Sequence, residues 1–85
     1  MSKAIEPLEI ICHMDWVESR WESNAEGWTF KVFDMLDPSP DGRPLYAEKG
    51  DDVLDRNEAE LKHEECQRRF LPIYIRMHNQ KVAKR

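Results

Sequence analysis

Cysteine and histidine side chains stand together at two places in the chain, Cys12-His13 and His63 with Cys66, where they could form a zinc site. His63 and Cys66 are three residues apart among strong helix formers, which would place both on one face of a helix. Cys12 lies in an alternating apolar segment that could pack beneath that helix. Zinc takes nitrogen and sulfur ligands in tetrahedral geometry, but the neighbouring Cys12 and His13 would point to opposite faces of a strand. We therefore expect Cys12, His63 and Cys66 to pack as ordinary side chains rather than to bind zinc or another cofactor.

The segment from Asp37 to Glu48 resembles the calcium-binding loop of an EF-hand. Its oxygen-bearing side chains stand at alternate positions, a glycine is sixth and a glutamate is twelfth; these residues are Asp37, Ser39, Asp41, Gly42 and Glu48. Oxygen ligands at this spacing wrap around a hard cation. Three prolines stiffen the segment, and the one at the eighth position lacks the N–H that paired loops share. Since the same residues are typical of turns, we predict a plain hairpin loop.

Histidine is the side chain most often used as a general base, and the chain has three of them, His13, His63 and His78. None lies in a local motif of the Ser–His–Asp or Cys–His type, and the scattered glycines form no phosphate-binding loop. The sequence therefore gives no positive evidence for catalysis, and we predict a protein that is not an enzyme.

Three tryptophans are many for a chain of 85 residues, and Trp16 and Trp21 are candidate partner-binding residues. Aromatic side chains on a sheet can stack nucleic-acid bases, but base-stacking surfaces are basic, and these segments carry several glutamates. Tryptophan is also a common anchor of protein interfaces. Because Trp21 breaks the alternation to which Trp16 belongs, we predict that Trp21 is an exposed anchor.

Charge is divided unevenly along the chain, whose formal net charge is −4. All the acidic residues precede Cys66, and the remainder carries only cations, which are Arg68, Arg69, Arg76, Lys81, Lys84 and Arg85. Bases late in a helix complement its dipole, and the same residues could contact a partner. Arg68, Arg69 and Arg76 are thus candidate partner-binding residues. The alternative partner is a nucleic acid, which this basic arm would hold through its phosphates.

Alternating apolar residues predict a small antiparallel sheet in a single domain of 85 residues. Residues 8–17 and 28–36 alternate in this way, and the polar segment 22–27 between them ends in glycine, which predicts a hairpin. A short third strand over 44–48 would pair back onto the second. The predicted sheet therefore has two or three strands within residues 8–48.

A long helix is predicted over residues 53–71, where neither glycine nor proline occurs. Asp55 followed by Glu58 is an aspartate version of the capping box. The apolar face is narrow, which indicates a helix that covers one side of the sheet and stays largely solvated. Pro72 opens a basic extension over 72–85, for which a strand, a disordered arm and a kinked or restarted helix all stay open, the helix being slightly favoured. The predicted fold class is α+β.

These features favour a small acidic regulatory protein that docks on a larger protein partner. An acidic body can present carboxylates where an enzyme expects phosphates, so an inhibitor of a nucleic-acid-processing or defence enzyme, of the kind encoded by phages, is one form of this hypothesis. The alternatives are a nucleic-acid-binding accessory protein and a small domain stabilised by zinc or calcium. Homo-oligomers are a further expectation, since a short sheet leaves edges that can pair.

The apolar stretches are too short to cross a bilayer, so we expect no membrane partner. The first six residues lack the apolar segment of a secretory signal. Two cysteines are too few for a disulfide scaffold. Together these observations predict a cytoplasmic protein with reduced thiols.

Overall fold

A four-stranded antiparallel sheet with one long helix on one of its faces makes up the fold of the computed structural model, which describes residues 5–83 and the side chains of residues 5–80. The strands lie in the sheet in chain order. The elements are β1 (Leu8–Met14), β2 (Val17–Asn24), β3 (Gly27–Asp34), β4 (Tyr46–Gly50) and α1 (Arg56–Ala83). The α+β class is therefore confirmed, with four strands instead of two or three. Within the described residues, no helix is apolar over a length that would span a membrane.

The additional strand is β2, which the sequence prediction missed. A tight turn at Asp15 and Trp16 ends β1, so that Met14 pairs with Val17 and the chain reverses. The predicted strand over 8–17 is thus three residues too long, and its direct pairing with β3 is wrong because β2 lies between them. The turn predicted within 22–27 is confirmed only at Ala25 and Glu26, because β2 extends to Asn24. The pairing of β4 with β3 is confirmed.

Backbone conformation at two turns explains how three strands fit into so few residues. Asp15 adopts a φ of 58°, a left-handed conformation that aspartate tolerates better than most residues. In the second turn, the Asn24 side chain accepts a hydrogen bond from the N–H of Glu26 at 2.8 Å. Gly27 follows with a φ of 142° and lies directly against the backbone of Gly50, where a Cβ atom would overlap the carbonyl oxygen. Only glycine fits that position.

The core lies between the sheet and α1. Trp21 and Phe30 pair across β2 and β3, both are fully buried, and the Trp21 ring stacks on that of Trp28 with centroids 5.2 Å apart. The helix contributes buried side chains at regular spacing, which are Ala59, His63, Cys66 and Phe70. The prediction of an exposed anchor at Trp21 is therefore wrong, because the turn before β2 places it on the helix-facing side. Trp16 is buried as well.

The helix begins with the predicted capping box. The N–H of Glu58 donates to the Asp55 carboxylate at 2.8 Å, and the N–H of Asp55 donates to the Glu58 carboxylate at 3.2 Å. The helix then continues through Pro72 to Ala83, so the predicted end at residue 71 is wrong. Proline has no N–H, so the backbone C=O one helical turn before Pro72 has no helical hydrogen-bond donor. Because Pro72 is solvent-exposed, that C=O can bind water instead. Beyond it, three partly buried side chains pack against the core and keep the helix in place; these are Ile73, Tyr74 and Met77.

Replacement of Trp21 tests this arrangement of the core. Because Trp21 is fully buried at the centre of the sheet, Trp21→Ala should lower the free energy of unfolding by about 3–5 kcal/mol. Trp21→Phe keeps part of the packing and should lose less. Leu36→Ala is the matched control, since Leu36 is 71% exposed in the loop after β3, and it should change stability by well under half of that amount. Urea denaturation followed by tryptophan fluorescence and circular dichroism measures all three, and equal losses for Trp21→Ala and Leu36→Ala would contradict the fold.

Candidate functional site

The two edge strands of the sheet differ in how far they resist pairing with another chain. β4 has five residues, two of which are the charged Glu48 and Lys49. β1 has seven residues, among them a single carboxylate at Glu9 and the exposed apolar Ile11. Short, charged edges are the usual protection against unwanted strand pairing. By this criterion β4 is protected and β1 is not, and no strand of residues 5–83 covers the outer side of β1.

The turn after β1 decides which backbone groups face outward. Met14 and Val17 flank a two-residue turn, so they exchange hydrogen bonds with each other. Hydrogen-bonded and non-hydrogen-bonded pairs alternate along an antiparallel ladder. The N–H and C=O groups of Glu9, Ile11 and His13 therefore point away from β2, into the space beside the sheet. These three residues form what we call the free edge.

An apolar cleft of about 520 Å³ lies next to the free edge, between β1 and α1. The sheet contributes Cys12, Met14 and Val17 to its walls, and the helix contributes Phe70 and Leu71. Its rim carries polar side chains, among them Glu64, Gln67 and Arg68. An apolar interior with a polar rim is the usual composition of binding surfaces.

The cleft exists because α1 is held towards the opposite edge of the sheet. Arg69 donates three hydrogen bonds to the Glu48 carboxylate on β4, at 2.7, 3.0 and 3.1 Å. The ring of Phe70 lies 5.6 Å from that of Tyr46. The hydrogen bonds from Arg69 hold the pKa of Glu48 below its ordinary value, against the opposing effect of burial. Beneath this pair, burial raises the pKa of the Cys66 thiol to about 11, so the thiol stays protonated at neutral pH.

The face of the sheet opposite the helix is charged, and a group of its side chains around Glu18 contact one another. The Glu18 carboxylate accepts a hydrogen bond from Arg20 at 2.8 Å and lies 2.9 Å from the His13 ring nitrogen. The contact with Arg20 is the main cause that lowers the pKa of Glu18. The Arg20 guanidinium also lies over the Phe33 ring, 5.2 Å from its centroid. This face offers a polar surface with few unpaired apolar groups, unlike the cleft.

The structure places the predicted metal ligands in separate surroundings. Cys12 is half-buried in the cleft, whereas His63 and Cys66 are buried on the helix face that contacts the sheet. Of the residues predicted for calcium, Glu48 belongs to β4 and binds Arg69, while Asp41 pairs with Arg43 in the loop and accepts a hydrogen bond from Ser39. Asp37, at the start of that loop, directs its N–H to Asp34. Within residues 5–83 no cluster of three or more metal-binding side chains occurs.

The structure also places the predicted partner-binding residues in different parts of the fold. Trp16 and Trp21 belong to the core, and Arg69 is engaged by Glu48. Arg76 is exposed on the helix beyond the cleft. Arg68 lies at the rim of the cleft, 4.0 Å from Glu64. Lys84, Arg85 and the side chain of Lys81 fall outside the described residues.

A second polar cluster joins the first turn of the sheet to the end of the helix. The Tyr74 hydroxyl donates to the Asp15 carboxylate at 3.2 Å, and the His78 ring nitrogen lies 3.7 Å from the same carboxylate. The Trp16 ring packs 5.8 Å from that of Tyr74. These contacts connect the C-terminal part of the helix to the turn between β1 and β2. Sequence spacing could not reveal this cluster, since its members are about sixty residues apart.

Comparisons of the chain with protein-family models, curated proteins and solved structures find no match. The free edge and the cleft are therefore the features of this chain that indicate a function. Sequence analysis did not locate either of them, because both follow from the unrecognised strand β2. The one indication in the sequence is the contrast between Leu8–Met14, with one carboxylate, and the more highly charged Tyr46–Gly50.

Because His63 is buried, we predict that the free energy of unfolding depends on pH. Its side chain is 5% exposed between the rings of Trp21 and Phe30, no described group hydrogen-bonds to its Nε2, and burial lowers its pKa. The unfolded chain binds a proton at His63 below about pH 6.5, whereas the folded chain binds it only at a lower pH. The free energy of unfolding should therefore fall as the pH decreases below that value.

His63→Leu should remove this part of the pH dependence and stabilise the protein by about 1 kcal/mol, since it deletes an unpaired buried polar group. His78→Gln is the control, because it removes a partly exposed histidine and leaves the buried His63 in place. Urea denaturation between pH 5 and 8 measures the slopes. An unchanged slope in His63→Leu would show that His63 is not a source of the pH dependence.

Proposed function

We propose that this chain is a small non-enzymatic docking protein that accepts an extended segment of a larger partner protein along β1. The observation that carries the proposal is the free edge of β1 beside an apolar cleft. An extended segment that adds to a sheet edge gains backbone hydrogen bonds, and its alternate side chains can enter neighbouring pockets. Both parts of this mode of recognition lie side by side in this chain.

The geometry of an added strand determines the chemistry of its partner. Alternate side chains of the added strand would lie on the same face as Cys12 and Met14, over the cleft, where Leu71 is 45% exposed. We infer that the partner segment carries apolar side chains two residues apart. Each buried apolar side chain contributes about 1.5–3 kcal/mol before the cost of ordering the segment. The expected binding is weak to moderate, and therefore reversible.

Charge favours a regulatory role towards basic partners. The chain has a net charge of −4, which attracts proteins with a basic surface. Basic surfaces are typical of proteins that process nucleic acids. Inhibition or regulation of such an enzyme is thus the specific form of docking that we propose.

Direct binding of nucleic acid by the basic arm is less well supported. Arg69 is bound by Glu48, and Arg68 lies near Glu64, so two of the predicted cations already face carboxylates. Contacts of this kind reduce the charge that these residues can offer to phosphates.

A library of random displayed peptides provides the test, with the purified chain immobilised as bait. The selected peptides should share apolar residues at alternate positions, and they should bind Leu71→Glu at least tenfold more weakly, since a carboxylate would then face the cleft. The matched control is Leu36→Glu, because Leu36 is 71% exposed in the β3–β4 loop and does not line the cleft.

Binding is measured by fluorescence anisotropy of a labelled selected peptide, and circular dichroism verifies that both variants are folded. Leu36→Glu should bind as the unmodified chain does. If no peptides are enriched, or if they bind Leu71→Glu and Leu36→Glu equally well, the cleft is not the docking site and the proposal fails.

A further inference from the structure

We propose that a second copy of this chain can occupy the free edge of β1, joining two four-stranded sheets into one continuous sheet with two-fold symmetry. This inference depends on the proposed function, since it names one occupant of the same edge. Its basis is that β1 is complementary to itself when it is turned antiparallel.

The outward backbone groups define the register. They belong to Glu9, Ile11 and His13, which are evenly spaced about Ile11. A two-fold axis at Ile11 places Ile11 opposite Ile11 of the second copy and Glu9 opposite His13 of the second copy. Every one of these residues then exchanges two backbone hydrogen bonds with the residue opposite. A shift of the strands by two residues would leave one outward-facing residue of each copy without a partner.

Side chains on the open face of the sheet match in this register. Each Glu9 carboxylate lies opposite a His13 imidazole, whose second ring nitrogen is directed away from its contact with Glu18. Opposite-charge and hydrogen-bonding pairs stabilise antiparallel strands when they face each other directly. Between these two pairs, the exposed Ile11 side chains cover one another. A second copy of the same sequence thus pairs with the polar side chains of the edge and covers its exposed apolar side chain.

Side chains on the helix-facing side match as well. Ile10 lies opposite Cys12 of the second copy, and Leu8 lies opposite Met14, so all the facing pairs are apolar. These four residues alternate along β1, which is the pattern that the cleft requires of an occupant. Since the axis is perpendicular to the sheet, both helices lie on the same face, and the two clefts open into a shared trough. Isologous contacts of this kind are the commonest interfaces of homo-oligomers.

A charge exchange between positions 9 and 13 tests the register. In Glu9→Lys a lysine faces the histidine of the second copy, and in His13→Glu two carboxylates face each other, so each variant alone should dimerise at least tenfold more weakly. An equimolar mixture of the two variants restores opposite charges in both pairs and should recover the dimer. Recovery on mixing cannot come from chains that fail to fold.

Sedimentation velocity over a range of concentrations measures the dimer. The control is Glu26→Lys, which makes the same charge change in the turn between β2 and β3 and should leave dimerisation unchanged. Dimers of the unmodified chain that resist both Glu9→Lys and His13→Glu would place the interface elsewhere and overturn the inference.

The inference would also be overturned if the chain stays monomeric at high concentration. The displayed peptides then test the proposed function separately. If they bind the edge of that monomer, docking of a partner segment stands and only self-pairing is wrong. If they do not bind, the proposed function fails together with the inference.

Discussion

Burial of Trp21 at the centre of the sheet is the constraint on which the other features depend. With Trp21 packed between β1, β3 and the helix, a slip of β2 by one residue would expose the indole ring and bury Arg20 or Glu22 in its place. The register of β1 on β2 is therefore fixed. That register determines which backbone groups of β1 point outward, and so the packing of one side chain also defines the free edge.

The elements that were predicted correctly are those determined by residues close together in the sequence. The alternation of β3, the proline-rich loop, β4 and the capping box at Asp55 all follow from residues that are close in sequence. β2 was missed for two reasons. Only two of its residues, Val17 and Trp21, are large and apolar, and the turn that separates it from β1 contains no glycine. Helix continuity through Pro72 depends on contacts between Tyr74 and residues near the first turn, which no local pattern encodes. The cleft was unpredictable for the same reason.

The position of the helix follows from an asymmetry between its two sides. Towards β4, Arg69 binds Glu48 and Phe70 contacts Tyr46, so polar and aromatic contacts hold the helix over that edge. Towards β1, the helix presents Glu64 and Arg68, which remain at the solvent boundary, and Leu71, which has no apolar surface to cover it fully. The same contacts that protect β4 therefore leave β1 and its cleft open.

An unprotected edge is a liability, because it can pair with another extended segment. β4 is short and carries two charged residues in five, whereas β1 is longer and carries one carboxylate in seven residues. A second copy and a partner segment would compete for the same hydrogen-bonding groups. The fraction of chains able to dock would then fall as the chain becomes more concentrated, by mass action. An edge of this kind would connect the assembly of the protein to its recognition of partners through a single strand.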